Sequence, residues 1–217
     1  MLKAEGEDDS VLPADDGETE FRETLRIVSH GFEGAAEKNV PRLQPFVPYF
    51  PRHLGPVLDV GCGAGLMVEL LANAGATAVG IDLDSGRVAA AQSRGLRVVT
   101  ADARDYLAGR PDTFGGVFLR HIVEHFDGVE GVRLLHLCRK ALRPGGVVAL
   151  ITPNFEVPLV QGSVFWLDVT HRRPYPLPLL RHIFLTLGLD IVESGCRQDE
   201  EEQDLFIVGR VPEGPAR

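Results

Sequence analysis

The sequence predicts a doubly wound α/β domain, with a mostly parallel seven-stranded sheet and an antiparallel C-terminal strand. Three observations carry this expectation. Short apolar runs alternate with segments of helical spacing from residue 57 onward, and a glycine-rich turn follows the first run. The last two runs are joined by a stretch too short for a helical crossover. In order, Val57 to Val60 reads as a buried strand stopped by Gly61. Leu66, Leu70 and Ala74 mark a helix ending at Gly75. Thr77 to Ile81 is a second strand, Ser85 to Arg94 a helix, and Leu96 to Thr100 a third strand. Gly116 to Leu119 is the fourth, followed by a helix over Val129 to Leu142. Pro144-Gly145-Gly146 then turns the chain into a fifth strand, Val147 to Thr152. A helix from Leu177 to Leu187 precedes the closing pair, Asp190 to Gly195 and Leu205 to Val211, which reads as an antiparallel edge.

The domain spans residues 56–211 of 217. Before it, residues 21–55 form a helical, proline-rich lead-in, and five prolines stand between positions 41 and 56. Residues 1–20 hold eight acids against Lys3, which accounts for most of the net charge of -9. That composition predicts a disordered acidic tail, because it lacks apolar residues to offset ordering entropy. Residues 212–217 read as a flexible end. The nearly neutral remainder offers no basic track, so nucleic acid is not an expected partner. No apolar run is long enough to span a membrane, no signal-peptide core is visible, and three scattered cysteines make no disulfide framework. These features point to the cytoplasm.

Val57-Leu58-Asp59-Val60-Gly61-Cys62-Gly63-Ala64-Gly65 places three glycines where a strand turns into a helix. Glycine there lets a ligand approach the main chain closely, and open α/β sheets bind ligands at strand carboxyl ends. Asp82 closes the second strand, where an acid can accept bonds from ribose hydroxyls, and Asp102 follows the third. A dinucleotide fingerprint would need a glycine at position 66, which is Leu66.

The G-x-G-x-G spacing after Asp59, with acids at the next two strand ends, resembles the class I S-adenosylmethionine-dependent methyltransferases over residues 55–210. The resemblance implies a Rossmann-like fold and S-adenosylmethionine as cofactor. It also implies that Asp59, Gly61, Gly63 and Gly65 line the methionyl part. Asp82, with Leu83 beside it, would hold the ribose, Asp102 and Ala103 would meet the adenine, and His121 would stand near the reactive methyl group.

Arg120-His121-Ile122-Val123-Glu124-His125 follows the fourth strand. It contains H-x-x-E-H, but the zinc-protease form of that motif requires a helix. Some class I methyltransferases of the quinone and small-RNA types bind a divalent cation with E-x-x-E-H. Here His121 replaces the first Glu, and no metal is assigned. Glu124 and His125 also suit a cap on the following helix. The segment Phe165 to Tyr175 resembles the D-x-T-H…P-Y element of bacterial methyltransferases associated with O-antigen and other polysaccharides, with Val169 where that group usually has Pro. This implies a glycan or small-molecule acceptor, methylated on a sugar hydroxyl or phosphate. A small-molecule or quinone-type O-methyltransferase is the alternative, and a non-catalytic S-adenosylmethionine-binding protein a third reading. His171 is the expected base, oriented by Asp168, with His121 and His125 as substitutes and Arg172 or Arg173 available for a phosphate.

Overall fold

The computed structural model describes residues 16–30, 36–198 and 203–214. Seven strands form one sheet: β1 (Val57–Val60), β2 (Ala78–Asp82), β3 (Val98–Thr100), β4 (Phe114–Arg120), β5 (Leu142–Pro153), β6 (Asp190–Gln198) and β7 (Gln203–Arg210). Their order is β3-β2-β1-β4-β5-β7-β6. The first five are mutually parallel, and β7 runs antiparallel to both neighbours. The single antiparallel strand is therefore interior. It slots between β5 and β6, so the expected antiparallel pair forms this edge of the sheet with β6 outermost.

Helices cover both faces, as runs buried on both sides require. On one face lie α3 (Leu66–Asn73) and α4 (Ser85–Ser93), with Met67, Val68, Leu71, Val88 and Ala91 packed on Val57, Ala78, Phe118 and Ala149. The lead-in completes this layer through α2 (Ala36–Leu43) and a 3-10 turn over Gln44–Tyr49. Phe46 is fully buried there, edge-on to Phe206 at 5.6 Å between ring centroids. Burying one such ring is worth about 2–3 kcal/mol. The opposite face carries α5 (Ala103–Ala108), α6 (Gly128–Ala141) and α8 (Leu177–Thr186). Leu180, Ile183 and Phe184 form the i, i+3, i+4 stripe that α8 lays on the sheet.

Some boundaries differ from the sequence expectation. The Pro144-Gly145-Gly146 turn lies inside β5, where the register slips between Phe114↔Leu142 and Gly116↔Val147 as a bulge. α1 (Asp16–His30) starts within the stretch expected to be disordered, so residues 16–20 are helical, and the rest of that acidic tail lies outside the described residues. Residues 212–214 have no regular structure, and the remainder of that end is also outside the described residues. A π turn over Val160–Val164 and the short α7 (Phe165–Leu167) occupy a stretch to which the sequence pattern assigns no element. No helix among the described residues is long and apolar enough to cross a membrane.

Candidate active site

The carboxyl ends of β1 to β4 open into one cavity of about 1350 Å³. Its floor is the turn from β1 into α3, where Gly61, Gly63 and Gly65 all have left-handed φ values of 69°, 51° and 82°. A Cβ on Gly61 would fall 2.0 Å from Ile122 Cδ1, so backbone angle and space both demand glycine. Asp82 fixes this turn from the side. Its Oδ2 accepts from Gly63 N–H at 2.7 Å and its Oδ1 from Asp84 N–H at 2.9 Å. Each oxygen keeps a lone pair for a ligand hydroxyl. Leu83, next in the chain, is 72% exposed and forms an apolar lip of the cavity.

Asp59 is buried beneath the turn. Burial, and then the charge of Asp82, pushes its carboxyl up to about 7, with Arg120 opposing. Asp102 caps α5, accepting from Arg104 N–H at 2.8 Å and pairing with the Arg104 guanidinium at 3.2 Å. Those bonds to Arg104 hold its acid below the usual range. The expected adenine acid is thus an N-cap in an ion pair, with Ala103 beside it at the start of the helix.

His121 follows β4 directly with φ 54°, a left-handed angle rare outside glycine. Its Nε2 lies 3.1 Å from Asp204 Oδ2 on β7, and its Nδ1 3.8 Å from Glu124 Oε1. Burial lowers its pKa, but the charge and hydrogen bond of Asp204 outweigh that and bring it up to about 9. His121 is therefore an imidazolium at neutral pH and unsuited to accept a proton. His125 is shifted down, chiefly by burial.

The Phe165 to Tyr175 segment closes the far wall. Asp168 does not orient His171 by a hydrogen bond, because its Oδ2 is 3.9 Å from His171 Nε2. It accepts instead from Thr170 N–H at 2.8 Å and Thr170 Oγ1–H at 2.6 Å. Thr170 Oγ1 in turn meets His125 Nδ1 at 2.8 Å. His171 Nδ1 lies 2.7 Å from the Phe165 carbonyl, and its ring centroid 4.6 Å from that of Phe165. Arg172 and Arg173 do not line the cavity; their backbone N–H groups point to the Glu124 carbonyl. The cap on α6 is Asp127, not Glu124 or His125.

Glu124 is 0% exposed; Oε2 accepts from Thr152 Oγ1–H at 3.0 Å, while Oε1 has no hydrogen bond and faces His121 Nδ1 at 3.8 Å. One ligand atom each from Glu124, His125 and His171 lie within 4.8 Å of one another. Positions 125 and 171 meet only through the fold, so no local pattern announces them. Arg120, bonded to Asn39 Oδ1 at 3.1 Å, is a further cavity residue that the sequence did not single out.

Comparison with known proteins supports the same region. Residues 58–150 match the family described as "Methyltransferase domain". The ubiquinone biosynthesis O-methyltransferase of Rhizobium johnstonii is 36% identical over 161 residues, covering 70% of this chain and 58% of the relative. That of Thiobacillus denitrificans is 34% identical over 104 residues, covering 45% and 44%. The chain thus spans about half the length of these curated relatives. An S-adenosylmethionine-dependent methyltransferase structure from Archaeoglobus fulgidus superposes with TM-score 0.73 at 26% identity, covering 85% of this chain and 98% of that one. Magnesium protoporphyrin IX methyltransferase from Synechocystis, with bound S-adenosylhomocysteine, shares the fold at TM-score 0.65 and 17% identity, covering 89% and 94%. Through its sheet order, its glycine turn and these likenesses, the chain has the Rossmann-like fold of S-adenosylmethionine-dependent methyltransferases.

Proposed function

We propose that the protein is an S-adenosylmethionine-dependent O-methyltransferase acting on the hydroxyl of a small molecule. One observation carries this reading. The glycine turn, Asp82 and the Asp102–Ala103 corner occupy three successive strand ends on one cavity, and His125 and His171 line the same cavity with Glu124 buried behind them. S-adenosylmethionine is the cofactor, with its methionyl part over Gly61–Gly65 near Asp59, its ribose on Asp82 and its adenine between Leu83 and Ala103.

The chemistry asks little of the protein beyond alignment and exclusion of water. The acceptor oxygen attacks the methyl carbon. An O–C bond forms, the C–S bond breaks, and its electron pair returns to sulfur, leaving neutral S-adenosylhomocysteine. The hydroxyl proton must leave, and the imidazoles that line the cavity and offer a ring nitrogen to take it are His125 and His171. His121, already charged, contributes a fixed positive field.

The acceptor we favour is a phenol of the quinone type. The curated relatives are ubiquinone biosynthesis O-methyltransferases, and aromatic and aliphatic side chains such as Phe126, Val160 and Phe165 line that wall. A glycan acceptor has the likeness of the Phe165 to Tyr175 segment behind it, but the two arginines that would hold its phosphate lie off the cavity. A cytoplasmic location and the absence of a nucleic-acid partner belong to the same proposal.

Calorimetry tests the cofactor. S-adenosylhomocysteine and S-adenosylmethionine should bind, with no comparable NAD binding; tighter NAD binding sinks the reading. Labelled methyl transfer to a panel of catechols and of sugars tests the acceptor, and turnover confined to sugars would reverse that choice.

A further inference from the structure

The methionyl end of the cofactor is a zwitterion, and its carboxylate calls for a cation at the glycine turn. Several cationic side chains that line the cavity are placed elsewhere. Arg104 sits at the adenine corner against Asp102 and Glu130. Arg87 lies over Gly63, whose N–H is bonded to the ribose acid Asp82. His121 faces Asp204 and Glu124 on the side of β7. Arg120 stands at the turn itself. β1 and β4 pair with Val60 beside Leu119, and continuing that register sets Arg120 level with Gly61. It shares a sheet face with Phe118, two residues back, which packs in the layer of α3 and the lead-in. There the lead-in meets it: Arg120 Nη2 donates to Asn39 Oδ1 at 3.1 Å, and Asn39 and Leu43 of α2 line the same cavity. The Arg120 charge also reaches Asp59, whose carboxyl it draws down against burial.

We propose that Arg120 binds the α-carboxylate of the methionyl group, with Asn39 as its positioning partner, and that this contact fastens α2 to the sheet when the cofactor binds. The assignment rests on the S-adenosylmethionine reading and adds to it the residue that selects an amino-acid ligand. A planar guanidinium presents its N–H groups as a fork that matches the two oxygens of a carboxylate. Arginine donates only, so the Asn39 amide must turn its oxygen to Arg120, which fixes the plane of the fork from the α2 side. α2 has eight residues with Pro41 among them, too few to hold a helix by itself, so its order depends on what its side chains touch. A ligand that tightens the Arg120–Asn39 contact therefore stabilises the docked lead-in in proportion to its preference for that state. Donor and product carry the same carboxylate, so the pair binds both alike and sets affinity rather than the rate of methyl transfer.

The test compares three ligands by calorimetry: S-adenosylhomocysteine, its decarboxylated analogue with an aminopropyl chain, and 5′-methylthioadenosine, which lacks the whole amino-acid part. The parent protein should bind S-adenosylhomocysteine ~10–100-fold more tightly than the decarboxylated analogue, the worth of hydrogen bonds to a charged group. Arg120→Gln should cost S-adenosylhomocysteine about the same factor and leave the other two ligands within about threefold, so that the discrimination collapses. Arg120→Lys should keep part of it. Asn39→Ala should lose roughly 3–10-fold, for S-adenosylhomocysteine alone. Hydrogen exchange over residues 36–43 should slow when S-adenosylhomocysteine binds the parent, but neither with the decarboxylated analogue nor in Arg120→Gln. Binding of methylthioadenosine shows that each variant is folded with its ribose and adenine end intact. A parent that binds S-adenosylhomocysteine and the decarboxylated analogue equally overturns the carboxylate site and leaves the cofactor reading standing. Arg120→Gln that weakens all three ligands alike does the same. A parent that binds none of the three overturns both.

Discussion

Both oxygens of Asp82 already hold backbone N–H groups of the turns they face, so this side chain shapes the site before any ligand arrives. Asp82→Ala should weaken S-adenosylhomocysteine binding by about 1.5–3 kcal/mol, the value of hydrogen bonds to a charged acceptor. The same change frees the Gly63 N–H, so the melting temperature should fall as well. Asp82→Asn, which keeps one acceptor oxygen, should lose less on both counts. Unchanged calorimetric affinity in folded Asp82→Ala would remove the ribose assignment. At this scale the sequence was informative where spacing along one strand end determines the role, as for Gly61, Gly63 and Asp82. It was less so where a partner arrives from elsewhere. Asp102 meets Arg104 and Asp168 serves Thr170, and neither pairing follows from residue type alone.

Among the elements, the start of α6 and the segment before α8 are joined through one side chain. Tyr175 is buried and its hydroxyl reaches the carbonyls of Asp127 at 2.8 Å and Phe126 at 3.2 Å, pinning that segment to the start of α6. Room for it exists because residue 131 is glycine; a Cβ there would stand 2.0 Å from the Tyr175 oxygen. Gly131→Ala should therefore destabilise by about 2–3 kcal/mol, although alanine is the better helix former, because the ring must move and its bonds are lost. Adding Tyr175→Phe removes the closest atom and should recover part of the loss, a coupling of roughly 1 kcal/mol in denaturant titrations. Additive effects of the two changes would refute the contact. Long periodic helices such as α6 and α8 were legible from sequence. α5 was not, since Ala103–Ala108 is too short for a period, and the π turn near Val160 has no signature of its own.

For the whole molecule, two perturbed groups tilt stability toward mildly acid pH. Asp59 has its carboxyl raised from 3.8 to about 7, so the folded state holds that proton more tightly than the unfolded chain. Its contribution is greatest at low pH and is lost as pH rises to about 7. His121 is raised from 6.5 to about 9, so its pairing with Asp204 stabilises fully below pH 6.5 and fades through about 9. The melting temperature should therefore decline between pH 6.5 and 9.5, and Asp204→Asn should flatten that limb. A parent curve that rises over this range would contradict the His121 assignment, and one that rises from pH 4 to 7 in the Asp204→Asn protein would contradict that of Asp59. The alternation of strands and helices made the seven-stranded architecture predictable, but not the place of β7. Antiparallel pairing of β6 with β7 satisfies the same local pattern whichever of the two meets β5, and the choice is made by apolar contacts such as Ile207 and Val208 on opposite faces.

The chain contains a single tryptophan, Trp166, which stands 53% exposed with its ring centroid 4.9 Å from that of Phe165, a residue that lines the cavity. Its intrinsic fluorescence therefore reports on one place only. Emission from the free protein should be that of a partly hydrated indole, and an acceptor settling against Phe165 should quench it or shift it to the blue. Because the cofactor turn lies across the cavity, S-adenosylhomocysteine should change the signal far less. Acceptor and cofactor titrations can then be told apart optically in the unlabelled protein.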